Sequence, residues 1–584
     1  RVKKQQGTEF FVIIGNPPYN VGQVNENDNN KNRKYKVIDQ RVKETYSKES
    51  KATLRNALSD PYVKAIRWAS DRIGDEGIVA FVTNNSFLDS IAFDGMRKHL
   101  GEDFSKIHHI NLKGNARTSG ERRRQEGGNV FDDQIRVSIG ITFFIKHKQP
   151  KPQSAEIFVY SVDDYLKSPE KKAFLDNAEN YANVQMERVV VDKKHTWLTD
   201  GLHSEFEEFL PLGSKAKQAE EIIFKKYSNG VKTNSDAYIY NSNYRFLIQL
   251  SQNMVENYQS EQNRWQDSGQ PKPLEDFLQV DESRLKWIRN TKRNLMRGNQ
   301  VTFNEEKIRI SLYRPFYKQF YYFERIFNED IYQFPKIFPT PENENRVICV
   351  VNEAQIPFSA QIAAHIPCLH YGGRQTQCFP LYSYKEDGTH RTENITDWAL
   401  SHYQNHYKDD TITKWAIFHY TYGLLHHPAY CEKYAANLKR ELPRLPMASD
   451  FWNFSKSGEK LADLHINYEQ QAPYPLTMIE NPKVPFSLKV EKMRLSKDKR
   501  QLIYNNFLKL DGIPKEVFNY KLGNRSALEW VIEQYRVKVD KRSGIVNDPN
   551  REEEESYILE LVKKIITVSL ETIKVIEGLP SDLN

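Results

Sequence analysis

Four consecutive residues near the start of the chain, Asn16-Pro17-Pro18-Tyr19, are of types that could hold a planar polar group in place. They follow a run of five aromatic or β-branched residues at positions 10–14, which predicts a buried β-strand that ends on Gly15. The two prolines fix φ and donate no backbone hydrogen bond, so the segment after Gly15 must be a stiff loop. The residue before a proline is kept out of the helical region, so we expect Asn16 to be extended at the carboxyl end of the strand.

This loop would fix three groups: the side-chain amide of Asn16, the carbonyl oxygen of Pro17 and the ring of Tyr19. The chemistry that needs such groups is methylation of a planar amine, whose lone pair is delocalised into its ring. Two acceptors that take the two amine hydrogens bias the nitrogen towards tetrahedral geometry and aim the lone pair at a methyl donor. The ring of Tyr19 can stack on a base swung out of a duplex. A tight turn that only closes the strand is the structural alternative for so short a motif.

The elements that must position this loop are predicted to alternate between strands and helices. Helices are expected over 60–73, with Pro61 at the first helical position, and over 91–100. Strands are expected over 77–83 and 107–112, and a β-rich segment over 135–145. This order predicts an α/β fold, namely part of a doubly wound, Rossmann-like sheet.

The pattern changes at about Gln149, where Pro150 and Pro152 indicate a connector. We therefore predict two domains, residues 1–150 with the partial doubly wound sheet and residues 151–584 as a large mixed α+β domain. Amphipathic helices are expected over 430–442 and over 557–576.

Composition limits the class of protein. The net charge of +7 and the pI of 8.8 suit a nucleic-acid partner without requiring one. With a mean hydropathy of −0.72 and no apolar run of membrane-spanning length, we expect a cytoplasmic protein without membrane contact. The four cysteines match no zinc or disulfide spacing, so we predict buried free thiols. No acidic residue lies at a ligand-like spacing from the histidines, so we predict no metal site at His419, His426, His427 and His465.

Basic residues are concentrated in segments that could face a polyanion. Solvated charged surfaces are the alternative throughout. For the aromatic-basic segment 313–322, an aromatic core with snorkelling cations is a further alternative. Under the nucleic-acid interpretation, we expect DNA contacts from Lys113, Arg117, Arg122, Arg123, Arg124, Arg293, Arg297, Arg314, Lys492, Arg494, Arg500, Arg525, Lys541 and Arg542.

Together, these stretches resemble the Type ISP restriction–modification enzymes. Those are single polypeptides with a nuclease, a helicase-like motor, a coupler, an adenine methyltransferase and a target-recognition domain. The resemblance covers essentially the whole chain and rests on residues 15–20 with the Asn-rich tract behind them, and on residues 313–316, 426–446 and 519–530. It implies that residues 1–150 are the C-terminal half of an N6-adenine DNA methyltransferase and that residues 151–584 are the target-recognition domain.

The resemblance also implies roles for single residues. Asn16 and Pro17 would bind the adenine amine, Pro18 would shape the loop, Tyr19 would stack on the base, and Phe131 matches a second aromatic that clamps the flipped base. The implied cofactor is S-adenosylmethionine, with its Gly-rich binding loop expected upstream of Arg1. The implied partners are double-stranded DNA and the upstream helicase, nuclease and methyltransferase N-terminal half of the same bacterial polypeptide, of which we expect this chain to be a piece.

Two alternatives remain open at this point. One is a DNA-binding specificity module without catalysis of its own. The other is a methyltransferase of protein glutamine side chains, which uses a similar Asn-Pro-Pro-Tyr motif but needs no recognition domain of over four hundred residues.

Overall fold

The computed structural model describes residues 8–19, 35–50, 52, 56–118, 120–131, 135–148, 154–198, 201–214, 219–270, 273–353 and 356–583. The side chains of residues 120–122, and with them the predicted contact of Arg122, lie outside this description. The Asn-rich tract over 20–34 and the predicted connector over 149–153 also lie outside the described residues. The chain divides into two compact units, Arg1–Ser204 and Glu205–Asn584, which are called the first and the second unit below.

The six described strands of the first unit form one mixed sheet with the order β1-β2-β4-β3-β5-β6. They are β1 (Phe10–Gly15), β2 (Ile73–Asn84), β3 (Lys106–Asn111), β4 (Ile139–Lys146), β5 (Glu156–Ser161) and β6 (Glu187–Arg188). Strand β1 runs parallel to β2, and β3 runs parallel to β5. Strand β4 lies antiparallel between β2 and β3, so the carboxyl ends of β1, β2, β3 and β5 meet at one edge. Since β5 and β6 belong to this sheet, it continues past residue 150, and the predicted boundary there remains a prediction.

The two helices that the sequence pattern predicts, over 60–73 and over 91–100, are present in the first unit and pack on the sheet. The described helices of the first unit are α1 (Lys36–Val42), α2 (Pro61–Arg72), α3 (Asp94–Asp103), α4 (Gly120–Glu126) and α5 (Ser168–Ala178). Helix α2 begins at Pro61 as predicted, and a 3₁₀ turn at Ile91–Phe93 precedes α3. Apolar residues of α2, α3, β2 and β3 share one core cluster, which includes Val63, Met96 and Ile107.

The prediction that β1 is buried is wrong, although the strand itself is confirmed. Phe11 is 62% exposed, Val12 51% and Ile14 78%. The physical reason is position: β1 is the outermost strand of the sheet, and among the described residues it pairs only with β2. The apolar run therefore identified the strand correctly. Ile13 packs against a core cluster, whereas Phe11, Val12 and Ile14 remain exposed in the described part of the chain.

The second unit contains several small sheets around three core clusters. Its described strands are β7 (Leu210–Pro211), β8 (Ser228–Asn229), β9 (Tyr240–Asn241), β10 (Ile308–Arg314), β11 (Tyr317–Tyr322), β12 (Val347–Val351), β13 (Ser359–Ala363), β14 (Ile366–Pro367), β15 (Gln377–Pro380), β16 (Tyr382–Ser383), β17 (Thr392–Glu393), β18 (Arg444–Leu445), β19 (Thr477–Glu480), β20 (Arg494–Leu495), β21 (Gln501–Ile503), β22 (Leu508–Asp511), β23 (Lys521–Leu522), β24 (Arg525–Ser526), β25 (Lys538–Val539) and β26 (Val546–Asn547). Its described helices are α6 (Asp236–Ile239), α7 (Tyr244–Asp267), α8 (Leu274–Phe277), α9 (Arg289–Met296), α10 (Phe334–Ile337), α11 (Asp397–Tyr407), α12 (Lys414–Leu424), α13 (Pro428–Lys433), α14 (Ala435–Leu438), α15 (Phe451–Ile466), α16 (Ala527–Gln534) and α17 (Tyr557–Glu577). The mixed α+β composition predicted for this region is thereby observed.

Two glycines let helices α12 and α15 cross closely. A side chain on Gly423 would meet the carbonyl oxygen of Phe454, and one on Gly458 would meet that of His419. The terminal helix α17 is confirmed, whereas the helix predicted over 430–442 is interrupted and continues only as α13 and α14.

The cysteines are unpaired, and two of the four histidines considered as metal ligands are held by hydrogen bonds within the fold. All four cysteines are free thiols, with Cys349, Cys368 and Cys378 buried and Cys431 partly buried. His427 caps α13, and the buried His465 ring contacts the hydroxyls of Tyr422 and Thr572 at 2.6 and 2.9 Å. In the described part of the chain, no group of His, Cys, Asp or Glu side chains is arranged to hold a metal ion. None of the described helices combines the length and apolarity that a membrane span requires.

Candidate active site and nucleic-acid interface

The Asn16-Pro17-Pro18-Tyr19 loop lies at the carboxyl end of β1. Asn16 and Pro18 are exposed, whereas Pro17 and Tyr19 are half-buried. Tyr19 packs against two core clusters of the first unit, and this burial raises the pKa of its hydroxyl. Gly15 lies opposite Phe81 of β2, where a Cβ would come within 3.2 Å of the Phe81 ring. The chain thus presents an exposed amide beside an anchored aromatic ring.

A chain of buried amides joins the strand ends at this edge. Asn85, which follows β2, donates to Asn111 Oδ1 at 2.7 Å and to the Ile139 carbonyl at 2.9 Å. Asn111, at the end of β3, donates to Ser161 Oγ at 3.1 Å at the end of β5. These bonds hold the ends of four strands in a fixed arrangement. Sequence reasoning missed this role; the only signal was a polar residue directly at the end of each apolar strand.

Phe131 lies next to the same cluster as Tyr19. It is 41% exposed, and its neighbour Val130 is buried in the cluster on which Tyr19 packs. Asn129 fixes this bend, because its Oδ1 accepts from Phe131 N at 3.0 Å and its Nδ2 donates to the Val137 carbonyl at 2.8 Å. The loop that carries Tyr19 and the loop that carries Phe131 therefore lie beside the same core cluster, which contains Val130.

The basic segment after β3 is partly engaged within the first unit. Lys113 forms an ion pair with Asp164 at 2.6 Å, and Arg123 donates to the Gly127 carbonyl at 2.5 Å. Arg117 and Arg124 are exposed.

The aromatic-basic segment over 313–322 belongs to the core. Phe316, Tyr317, Tyr321 and Tyr322 are buried, so of the two interpretations the aromatic core with cations at its margin is the one observed. Arg314 is partly buried; its Nη1 donates to the Tyr313 carbonyl at 2.6 Å and lies 3.4 Å from Cys368 Sγ. Because its guanidinium is used internally, Arg314 offers less to DNA than the exposed cations do.

The remaining predicted cations of the second unit lie at its surface. Arg293 donates a hydrogen bond to Asn290 Oδ1 at 2.7 Å. The Arg542 guanidinium lies 4.0 Å from the Glu282 carboxylate. Arg525 lies over the Trp530 ring at 5.0 Å. The exposed members of the set are Arg293, Arg297, Lys492, Arg494, Arg500, Arg525, Lys541 and Arg542.

Two protein families match separate parts of the chain. Residues 222–561 match the Type ISP C-terminal specificity domain, and residues 2–116 match the Eco57I restriction-modification methylase. The comparison with curated proteins gives no match.

Three solved structures are similar over nearly the whole chain. A nuclease-deletion mutant of the Type ISP restriction-modification enzyme LlaGI, in complex with a DNA substrate mimic, is 33% identical with a TM-score of 0.84, covering 99% of this chain and 53% of that one. A DrdV–DNA complex is 37% identical with a TM-score of 0.83, covering 100% of this chain and 58% of that one. The ATP-dependent Type ISP restriction-modification enzyme LlaBIII bound to DNA is 30% identical with a TM-score of 0.86, covering 100% and 38%. This chain thus spans between 38% and 58% of the length of these relatives.

Proposed function

This chain belongs to the Type ISP restriction–modification enzymes, and we propose that it supplies the target-recognition domain and the C-terminal half of an adenine-specific DNA methyltransferase. The observation that carries the catalytic part is the loop from Asn16 to Tyr19. It joins an exposed amide, a carbonyl and an anchored ring at the carboxyl end of β1, within the segment that matches a methylase family.

In the proposed reaction, Asn16 Oδ1 and the Pro17 carbonyl accept the two hydrogens of the amine of a flipped adenine. This concentrates the lone pair on nitrogen and directs it away from the ring plane. Pro18 keeps the loop rigid, Tyr19 stacks on the base, and Phe131 contacts it from the neighbouring loop. S-adenosylmethionine supplies the methyl group when it is bound.

The described residues do not form a complete site for that cofactor. Strand β1 is the edge of the sheet, and Phe11, Val12 and Ile14 beside the loop face no covering element in the described part of the chain. We therefore assign no cofactor contact to these residues. We propose instead that the preceding half of the methyltransferase, which carries the cofactor loop, adds to the sheet at β1.

For target recognition, we propose that the second unit binds double-stranded DNA. The exposed cations of its surface would hold phosphates, and side chains near them would reach base edges. The match of residues 222–561 to a specificity domain and the DNA in the related structures support this assignment.

A second candidate function is a specificity module that is not catalytic by itself. The uncovered β1 strand favours it, because the catalytic loop then has only one wall in the described chain.

Replacement of Asn16 by alanine in the full-length polypeptide tests the catalytic proposal. Losing one hydrogen-bonding group of a preorganised site should lower methyl transfer to cognate DNA about 100- to 1,000-fold and leave DNA binding unchanged. Incorporation of radiolabelled methyl groups and a gel-shift titration measure the two quantities.

The matched control is Asn177→Ala, which removes an exposed amide from α5 in the same unit. It should retain methylation. Near-normal methylation by the Asn16→Ala protein would refute the catalytic assignment. Methylation that stays absent in the wild-type full-length polypeptide, with cognate binding intact, would favour the specificity module.

A further inference from the structure

A cavity of about 590 Å³ opens within the second unit, at residues that the DNA and methylation assignments do not use. It lies between the start of β10, the segment after α10, strand β16 and the first turn of α12. Its volume is in the range of sites that enclose a small ligand. Its wall includes the side chains of Arg309, Arg346, Arg391, Tyr382, Trp415 and His365.

Three arginines give this cavity a positive wall. Within the described residues, none of their guanidinium groups has a carboxylate oxygen within 4.0 Å, and Glu344 is the acidic residue of the lining. Burial lowers the pKa of Arg309, whose Nη1 donates to the Pro339 carbonyl at 3.3 Å. The charge of Glu342 acts on this pKa in the opposite direction, but its carboxylate lies beyond ion-pair distance. A partly desolvated cation without a directly paired carboxylate is costly to the folded protein, and a bound anion would offset that cost.

His365 does not supply a further charge to the wall. Burial is the main cause that lowers the pKa of His365 to about 4. The positive charges of Lys318 and Arg309 lower this pKa further, whereas the negative charge of Glu469 raises it. At neutral pH this ring is therefore uncharged.

Two of the arginines are paired with aromatic rings at the rim. The Arg346 guanidinium lies 5.0 Å from the centre of the Trp415 ring, and that of Arg391 lies 4.7 Å from the centre of the Tyr382 ring. A guanidinium held over a ring directs its N–H groups sideways, where they match the oxygens of a phosphate. Aromatic planes beside cations are the combination that binds bases and phosphates together.

We propose that this cavity binds a nucleotide unit, with the phosphate held by Arg309, Arg346 and Arg391 and the base placed against Tyr382 or Trp415. The unit can belong to a nucleic-acid strand or to a free nucleotide, since both offer one phosphate next to one base. The proposal concerns binding alone and does not depend on methyl transfer.

Calorimetric titration of the full chain with adenosine monophosphate, and separately with inorganic phosphate, tests it. Adenosine monophosphate should bind at least tenfold more tightly than inorganic phosphate, because only the nucleotide reaches the aromatic rings. Arg309→Gln and Arg391→Gln should each weaken nucleotide binding at least tenfold. Arg391 is exposed, so its replacement keeps the test valid even if Arg309→Gln disturbs folding.

The matched control is Arg245→Gln, which removes an exposed arginine from α7 in the same unit. Nucleotide affinity should not change in this variant. A short single-stranded DNA competes for the site if the nucleotide comes from a strand, and its binding should then fall in Arg391→Gln. If the DNA does not compete while adenosine monophosphate still binds, the source is the free nucleotide. The proposal is overturned if neither probe binds, if all three variants behave alike, or if inorganic phosphate binds as tightly as the nucleotide.

Discussion

Gly140, at the start of β4, determines how closely the strand ends can pack beneath the candidate active site. A Cβ at this position would overlap Asn85 Oδ1 and the ring of the buried His109. Neither neighbour is free to move, since Asn85 is bound to Asn111 and His109 Nδ1 contacts Thr142 Oγ1 at 2.8 Å. We predict that Gly140→Ala lowers the free energy of unfolding by about 1–3 kcal/mol, as overpacked cores do. Urea unfolding measures this change.

The control for this prediction is Gly101→Ala in α3 of the same unit. There a Cβ would come within 3.0 Å of Ser154 Oγ, a hydroxyl that can rotate away, and alanine favours the helix by about 0.5–1 kcal/mol. Equal stability of the two variants would contradict the account of the packing around Gly140.

At the scale of residues, the sequence identified the loop but not its support. Asn16 to Tyr19 could be found because strand, prolines and aromatic ring are contiguous in the chain. The network of Asn85, Asn111 and Ser161 could not, because it depends on β4 lying between β2 and β3, an order that no local pattern encodes.

The exposed edge strand β1 predicts how the isolated chain associates in solution. Val12 and Ile14 point to one side of the sheet, where Val12 pairs with the exposed Ile78 of β2. An apolar patch therefore lies beside a strand edge that is unpaired in the described part of the chain. Such edges associate with other strands. We predict that the isolated chain self-associates and that Ile14→Lys shifts it towards monomer in sedimentation equilibrium.

Val190→Lys provides the comparison, since Val190 is 87% exposed but lies outside the strands. This variant should self-associate like the wild type. If Val190→Lys disperses the chain as well as Ile14→Lys does, general surface hydrophobicity is the cause and β1 is not the interface.

The crossing of α12 and α15 encloses histidines whose charge the fold disfavours. The His419 ring packs edge-on to Trp415 at 4.9 Å, and burial, with a smaller contribution from Arg346, lowers its pKa to about 4. Between pH 6.5 and pH 4, the unfolded chain therefore binds more protons than the folded chain, so stability falls as the pH falls through this window. At pH 5 this one residue should cost about 2 kcal/mol.

His419→Leu should remove that part of the acid sensitivity, because leucine keeps an apolar volume and does not titrate. Chemical unfolding at pH 7 and pH 5 measures the difference for each protein. His406→Leu, in which an exposed ring is replaced, should keep the wild-type difference. An unchanged pH dependence in His419→Leu would show that His419 is protonated in the folded chain.

At the scale of elements, those with a strong local signal were predictable. Helix α2 is defined by Pro61 at its start, and Ser526 with Glu529 forms the capping box that begins α16. The many two-residue strands of the second unit were not predictable, since each exists through a partner distant in sequence, as in the pairing of Arg444 with Pro211.

The chain combines a unit that carries the candidate catalytic loop with a larger unit in which no comparable set of residues is found among those described. Under the proposed function, a loop of four residues has too little surface to read a site of several bases, so we expect the choice of sequence to come from another part of the protein. The second unit offers that surface, with exposed cations and a compact core of its own.

We predict that exchanging residues 205–584 in the full-length polypeptide for those of a relative with another target moves methylation to the relative's DNA sequence. Within the wild-type unit, replacing a proposed phosphate contact such as Arg494 should weaken binding to all sequences alike and lower the salt dependence by about one unit. Removing a base contact should instead cost about 1–3 kcal/mol at one position and relax specificity there. Sequencing of the methylated sites reports the target of the hybrid, and a hybrid of only residues 1–204 serves as the reciprocal control. A folded and active hybrid that still methylates the original sequence would place recognition outside residues 205–584.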